Sequence, residues 1–161
     1  PAAESNMLPE PAAGHMSLTP QELKKLLLGA GLEVYRTLVD RVVLADRVRD
    51  NLIMDSGVAA LSQEAGLGVR AVFRAQGCDF QGENSEALFA HARRMAQDAQ
   101  SRGYSEVATN VVPIHDPGDR TRVLDTWYEV AFERRTSDGD QLLAELKAAL
   151  EWPKVASRTM T

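Results

Sequence analysis

Between Leu67 and Gln76 the chain alternates strictly. Val69, Ala71, Phe73 and Ala75 fall on one side of an extended backbone, and Arg70, Val72, Arg74 and Gln76 fall on the other. A period of two with one apolar side is the pattern of a strand in a sheet with one buried face. Val123–Arg134 repeats it: Tyr128, Val130 and Phe132 point to the expected core, and Asp125, Trp127, Glu129, Ala131 and Glu133 point away. Val107–Ile114 precedes that run, separated from it by Asp116-Pro117-Gly118-Asp119. There Pro presets φ and Gly is expected to take the positive φ of a hairpin turn. Val58–Ser62 is likewise joined to Leu67–Gln76 by Gln63-Glu64-Ala65-Gly66, a link with Gly where a hairpin wants φ > 0.

Helical signals fall between these strands. Thr19-Pro20-Gln21-Glu22 is a capping box with Pro at the first helical position, and Leu23, Leu26, Leu27 and Ala30 follow on one face. Asn84 is expected to cap a helix running to Arg102, with the stripe Leu88, Ala92, Met95 and Ala99 and an exit at Gly103. A last helix is expected from about Ser137, turning Leu142, Leu143, Leu146, Ala149 and Leu150 inward and stopped by Trp152-Pro153. Leu32–Thr37 and Arg41–Ala45 read as two short strands, but Leu38, Val42, Ala45, Val48 and Leu52 also recur at helical spacing. Strand and helix both stand for residues 38–52. The order is helix, three or four strands, helix, two strands, helix. This predicts an α+β fold, a two-layer domain with an antiparallel sheet and helices on one face. Because hairpins join the strands, a doubly wound nucleotide fold is disfavoured.

Residues 1–15 hold three of the seven prolines and neither Lys nor Arg, and read as a flexible linker or cloning scar. The single domain is expected over residues 16–153, with a frayed tail at 154–161. The 161 residues are 44% hydrophobic and 25% charged, enough for one packed core. The 23 acidic residues against 18 basic give −5; without Glu4 and Glu10 the acidic count is 21 and the net charge −3. No apolar run reaches the roughly 18–20 residues of a membrane span. No secretory leader is visible, and one cysteine forms no disulfide framework, so a cytoplasmic location is expected.

Two loops carry groups capable of chemistry. His115 with Asp116 and Asp119 offers an imidazole and two carboxylates, but no third ligand at metal spacing accompanies them. Turn chemistry explains every residue there except His115. Cys78 precedes a helix start, yet Asp79, Glu83 and Glu86 would oppose a thiolate. It reads as an inert, partly buried thiol. We therefore expect no catalytic residues, no metal and no cofactor. Arg36, Arg41, Arg47, Arg49, Arg70 and Arg74 could line an outer sheet face, but no aromatic platform for nucleic acid is interleaved with Arg70 and Arg74. An ion-paired face is expected and nucleic-acid binding is not. Trp127 on the outward side, among carboxylates, is a candidate partner contact with Glu129 and Ala131.

This element order, size and charge resemble those of the class I type III secretion chaperones, over most of residues 19–151. The resemblance implies a small acidic homodimer that binds an extended protein segment along its sheet or helix faces, without catalysis. The strand at Val58–Ser62 departs from that pattern. The expected function is a non-enzymatic, chaperone-like protein-interaction module. The alternative is a small-molecule-binding protein or enzyme built on the Cys78 and His115 loops, which requires both side chains to open into one pocket. Nucleic-acid binding through the basic sheet face is a second alternative.

Overall fold

A computed structural model describes residues 18–64 and 66–158. The expectations for residues 1–15 lie outside these. The fold class is α+β. The helices are α1 (Pro20–Gly29), α2 (Ser85–Arg94), α3 (Gln97–Ser101) and α4 (Gly139–Leu150). The strands are β1 (Val34–Thr37), β2 (Arg41–Arg49), β3 (Leu52–Gln63), β4 (Gly66–Gln76), β5 (Ser105–Asp116), β6 (Asp119–Arg135) and β7 (Val155–Ala156). One seven-stranded sheet has the order β1-β2-β3-β4-β6-β5, with β7 beside β4. The chain forms two compact units: the segment up to Val69 with Arg135–Leu150, and Arg70–Arg134 with the segment from Glu151.

In the first unit the capping box forms as the sequence dictates. The Thr19 hydroxyl accepts the Glu22 N–H at 3.1 Å, and the Glu22 carboxylate accepts the Thr19 N–H at 2.8 Å. Leu23 and Leu27 of α1 and Leu142, Leu146 and Ala149 of α4 are buried together with Val42–Leu44 and Val58–Leu61 of the sheet. Helix α4 starts one residue after Asp138, whose carboxylate accepts the Gln141 N–H. Residues 41–49 are strand, which settles the ambiguity over 38–52.

The strand expected at Val58 begins six residues earlier, at Leu52. Its pairing with β2 shifts between Val43↔Ala59 and Ala45↔Asp55, so β3 carries extra residues there. Gly57 at φ 80° makes the bulge possible, Asp55 accepts its N–H, and the Ser56 hydroxyl donates to the Leu44 carbonyl. A bulge interrupts the period of two, and this hid the first half of the strand. Gly66 has φ 109°, as its place in the link required.

In the second unit Val69's successors on the apolar side of β4, Ala71, Phe73 and Ala75, are fully buried. Phe73 meets Phe132 edge-on at 5.7 Å and stacks on Trp152 at 6.3 Å, and Trp152 meets Tyr104 at 5.3 Å. The helix expected from Asn84 to Arg102 is two helices. Asn84 caps α2, but the N–H groups of Met95 and Ala96 bond three residues back, to Ala92 and Arg93. That tighter turn shifts the helical phase and buries Ala96 beside Ala92 and Ala99. Gly103 exits at φ 92°.

Two further expectations are corrected. Gly118 does not take a positive φ; its N–H is held at 2.8 Å by the Asp116 carboxylate, so an Asx turn closes the hairpin. Val155–Ala156 do not fray: β7 pairs in parallel with Arg74 and Ala75, and Ala156 is buried. The sheet is antiparallel apart from that pair.

Candidate functional site

Period-2 geometry places Arg70 and Arg74 of β4 on the same sheet face as Asp125, Trp127, Glu129, Ala131 and Glu133 of β6. Arg74 stands 3.7 Å from the Trp127 ring centroid and 3.2 Å from the Glu129 carboxylate. Arg70 bridges to Glu133 at 2.7 Å. The indole N–H donates to Asp125 at 3.1 Å. Trp127 is thus on the side expected but half-buried, clasped by a cation on its face and a carboxylate at its edge. Glu129 is half-buried and engaged by Arg74. Ala131 is corrected as a contact residue: it is 1% exposed. Its methyl is short, and it lies between the Arg74–Glu129 and Arg70–Glu133 bridges.

Three of the four remaining arginines of the proposed basic face follow the same rule. Arg36 faces Asp55 at 4.0 Å, Arg41 pairs with Asp40 at 3.0 Å and Arg47 with Glu33 at 2.5 Å. Five of the six arginines therefore have a carboxylate neighbour. These arginines offer phosphates little uncompensated charge.

Cys78 is exposed rather than partly buried, because it sits in a short 3-10 turn, Gly77–Asp79, that leaves the end of β4. The Asp125 carboxylate accepts its N–H at 2.9 Å. A hydrogen bond from the thiol to Asp125, with the nearby negative charge of Asp125 and Asp79, raises the thiol pKa above its ordinary value. Desolvation acts against the charge of Asp125, yet hydrogen bonds from Cys78, Thr126 and Trp127 hold its carboxyl below the usual aspartate range. A thiol held protonated in this way is a poor nucleophile.

His115 is exposed at the end of β5, opposite Val123. A cleft of about 340 Å³ opens beyond the end of β4, walled by Phe80, Leu88, Leu124 and Tyr128 with Glu83 and Asp125 among its polar lining. Neither Cys78 nor His115 lines it. Among the described residues no group of three or more His, Cys, Asp or Glu is placed to hold a metal, and no helix is long and apolar enough to cross a membrane.

The structure adds two features. His91 stacks on Phe80 at 4.1 Å and lies 2.7 Å from Glu83, while Arg94 donates to its Nδ1. The second feature is β5. It is the last strand of the sheet, has no strand on its other side among the described residues, and most of its twelve residues are exposed. Pro113 was the available signal, since a residue without an N–H belongs at a sheet edge.

No family model, curated protein or solved structure matches this chain. What the fold and site define is the class of protein: a small α+β module whose sheet ends in an exposed hairpin.

Proposed function

We propose that this protein is a non-enzymatic, chaperone-like interaction module that takes an extended protein segment along its last hairpin. The observation that carries the reading is β5: a long rim strand with Val107 and Val111 48% and 54% exposed, beside exposed Val123 and Leu124 of β6. Rim strands present a row of backbone donors and acceptors, and apolar side chains on them supply the burial that makes pairing favourable. The clasped Trp127 lies on the same hairpin, opposite Val112. The resemblance to the type III secretion chaperones in size, acidity and most of the element order favours the same reading, which carries with it a cytoplasmic location. The raised thiol pKa at Cys78, and a cleft that excludes both Cys78 and His115, speak for binding over catalysis.

The test is selection of extended peptides from a randomised display library against the whole chain. Peptides that bind wild type and lose at least tenfold in affinity to Val111→Lys support the reading. Peptides that bind both proteins equally, or a selection that yields none, overturn it.

A further inference from the structure

Strand β6 has 17 residues and its neighbour β4 has 11. Where β4 ends, Gly77 lies against the Thr126 carbonyl, so close that a Cβ would stand 3.0 Å from it. From Asp125 back to Asp119, β6 therefore runs on past its neighbour, and the cleft of about 340 Å³ opens in the space this leaves. Pairing with β5 shifts between Ile114↔Asp125 and His115↔Val123, which makes Leu124 an extra residue on β6. Bulges re-aim a side chain, and exposed Leu124 lines the cleft. Tyr128, another wall, is paired opposite Val111 of the rim, so the two share a face. The exposed apolar rim thus leads into the cleft.

The charge of the lining is one-sided. Its carboxylates are Glu83 and Asp125, and it contains neither Lys nor Arg. Asp125 accepts from neutral donors, the N–H groups of Cys78 and Thr126 and the Trp127 indole. Those bonds help hold it ionised, and among the described residues no Lys or Arg bridges to it. Glu83 meets His91 at 2.7 Å and the exposed Arg158 at 3.5 Å. Negative charge is therefore in excess beside the rings of Phe80 and Tyr128. At Trp127 the protein already shows what such a set of groups holds: an aromatic face and a carboxylate grip the Arg74 guanidinium.

We propose that this cleft receives an arginine side chain of the extended protein segment that the module binds. The proposal rests on the reading above and adds the partner's chemistry. A guanidinium is planar, stacks on aromatic rings and bonds carboxylates through its fork, whereas an ammonium is a point charge. A volume of about 340 Å³ is at the small end of ligand sites and suits one long side chain. A segment lying on β5 crosses to the cleft in about three extended residues, since two strand spacings are roughly 10 Å.

The first probe is N-acetyl-arginine amide, titrated into the whole chain to about 50 mM, the range of single-side-chain binding. The Trp127 indole N–H signal reports it, because Asp125 accepts from that group. A saturable shift is expected with the arginine amide, at least threefold weaker with the lysine amide. None is expected with the citrulline amide, which has the shape without the charge. Glu83→Gln should weaken arginine binding at least threefold, and it tests the site away from the turn at Cys78. In the peptide selection, segments sensitive to Val111→Lys should carry arginine. Its replacement by citrulline should cost at least tenfold in wild type and less than threefold in Asp125→Asn. An indole that ignores the arginine amide, or answers the citrulline amide equally, overturns the proposal, as does equal binding by wild type and Glu83→Gln. If Val111-sensitive peptides are selected and none depends on arginine, the arginine site fails and the module reading stands. If the arginine amide binds as described and no such peptide is found, the site stands and the module reading fails.

Discussion

Replacing Arg74 by Ala tests whether Trp127 is a clasped residue or a free contact. The guanidinium lies 3.7 Å from the indole centroid, and both Arg74 and Glu129 are shielded, with side chains 26% and 17% exposed. A stack of this kind contributes about 1 kcal/mol, between the exposed and desolvated limits. The partly screened ion pair adds roughly 0.5 kcal/mol. Loss of the aliphatic stem covering the ring, and a carboxylate left without its partner, bring the cost to about 2 kcal/mol. With an m-value of about 2 kcal/mol/M in urea, the midpoint should fall by about 1 M. Arg74→Lys keeps the charge but not the planar stack and should lose about half as much. In a Trp152→Phe background the emission reports Trp127 alone, and it should shift to the red in Arg74→Ala as the ring is hydrated. A cycle with Glu129→Gln should show coupling of about 0.5 kcal/mol or more. A midpoint within about 0.2 M of wild type, with unchanged emission, would refute the clasp.

Gly77→Ala should destabilise by roughly 1–3 kcal/mol in urea unfolding, because its Cβ would come within 3.0 Å of the Thr126 carbonyl, which is backbone and cannot step aside. Gly29→Ala has nothing within 4 Å and should stabilise by about 0.5 kcal/mol, so the two variants should move in opposite directions. Asp125→Asn should lower the Cys78 pKa, measured as faster alkylation near neutral pH, because it removes the carboxylate that accepts from the thiol. The same carboxylate is held below its ordinary value, so its contribution to stability is present above the usual aspartate pKa and lost as pH falls through the folded one. The gap between wild type and Asp125→Asn should therefore close in acid unfolding. Thr19→Ala should cost about 1 kcal/mol, read as a lowered thermal midpoint.

What could be read from the chain was whatever a few neighbouring residues decide among themselves. The Thr19–Glu22 box, the Asn84 cap, the exit at Gly103 and the alternation along β4 are settled within one turn or one pleat. The α+β order follows from placing such signals in sequence. The ion-paired character of the arginine face was legible too, since a chain of nearly balanced charge has carboxylates to spare for its arginines. Missed were features in which a second segment overrides the local pattern. The first half of β3 was hidden by a bulge that only pairing with β2 defines. The break between α2 and α3 reflects the burial of Ala96, which helical periodicity alone does not foresee.

At the candidate site the division is the same. Alternation along β6 determined which face Trp127, Glu129 and Ala131 share, because successive residues of a strand must point to opposite sides. Whether that face is bare depends on what lies beside it, and only the tertiary structure brings Arg74 over Trp127 and encloses Ala131. Pro113 already marked its strand as one for a sheet edge. That β5 is the last strand emerged only once the strand order and register were in place. Burial and edge status belong to pairs of segments, and no single stretch of sequence contains both partners.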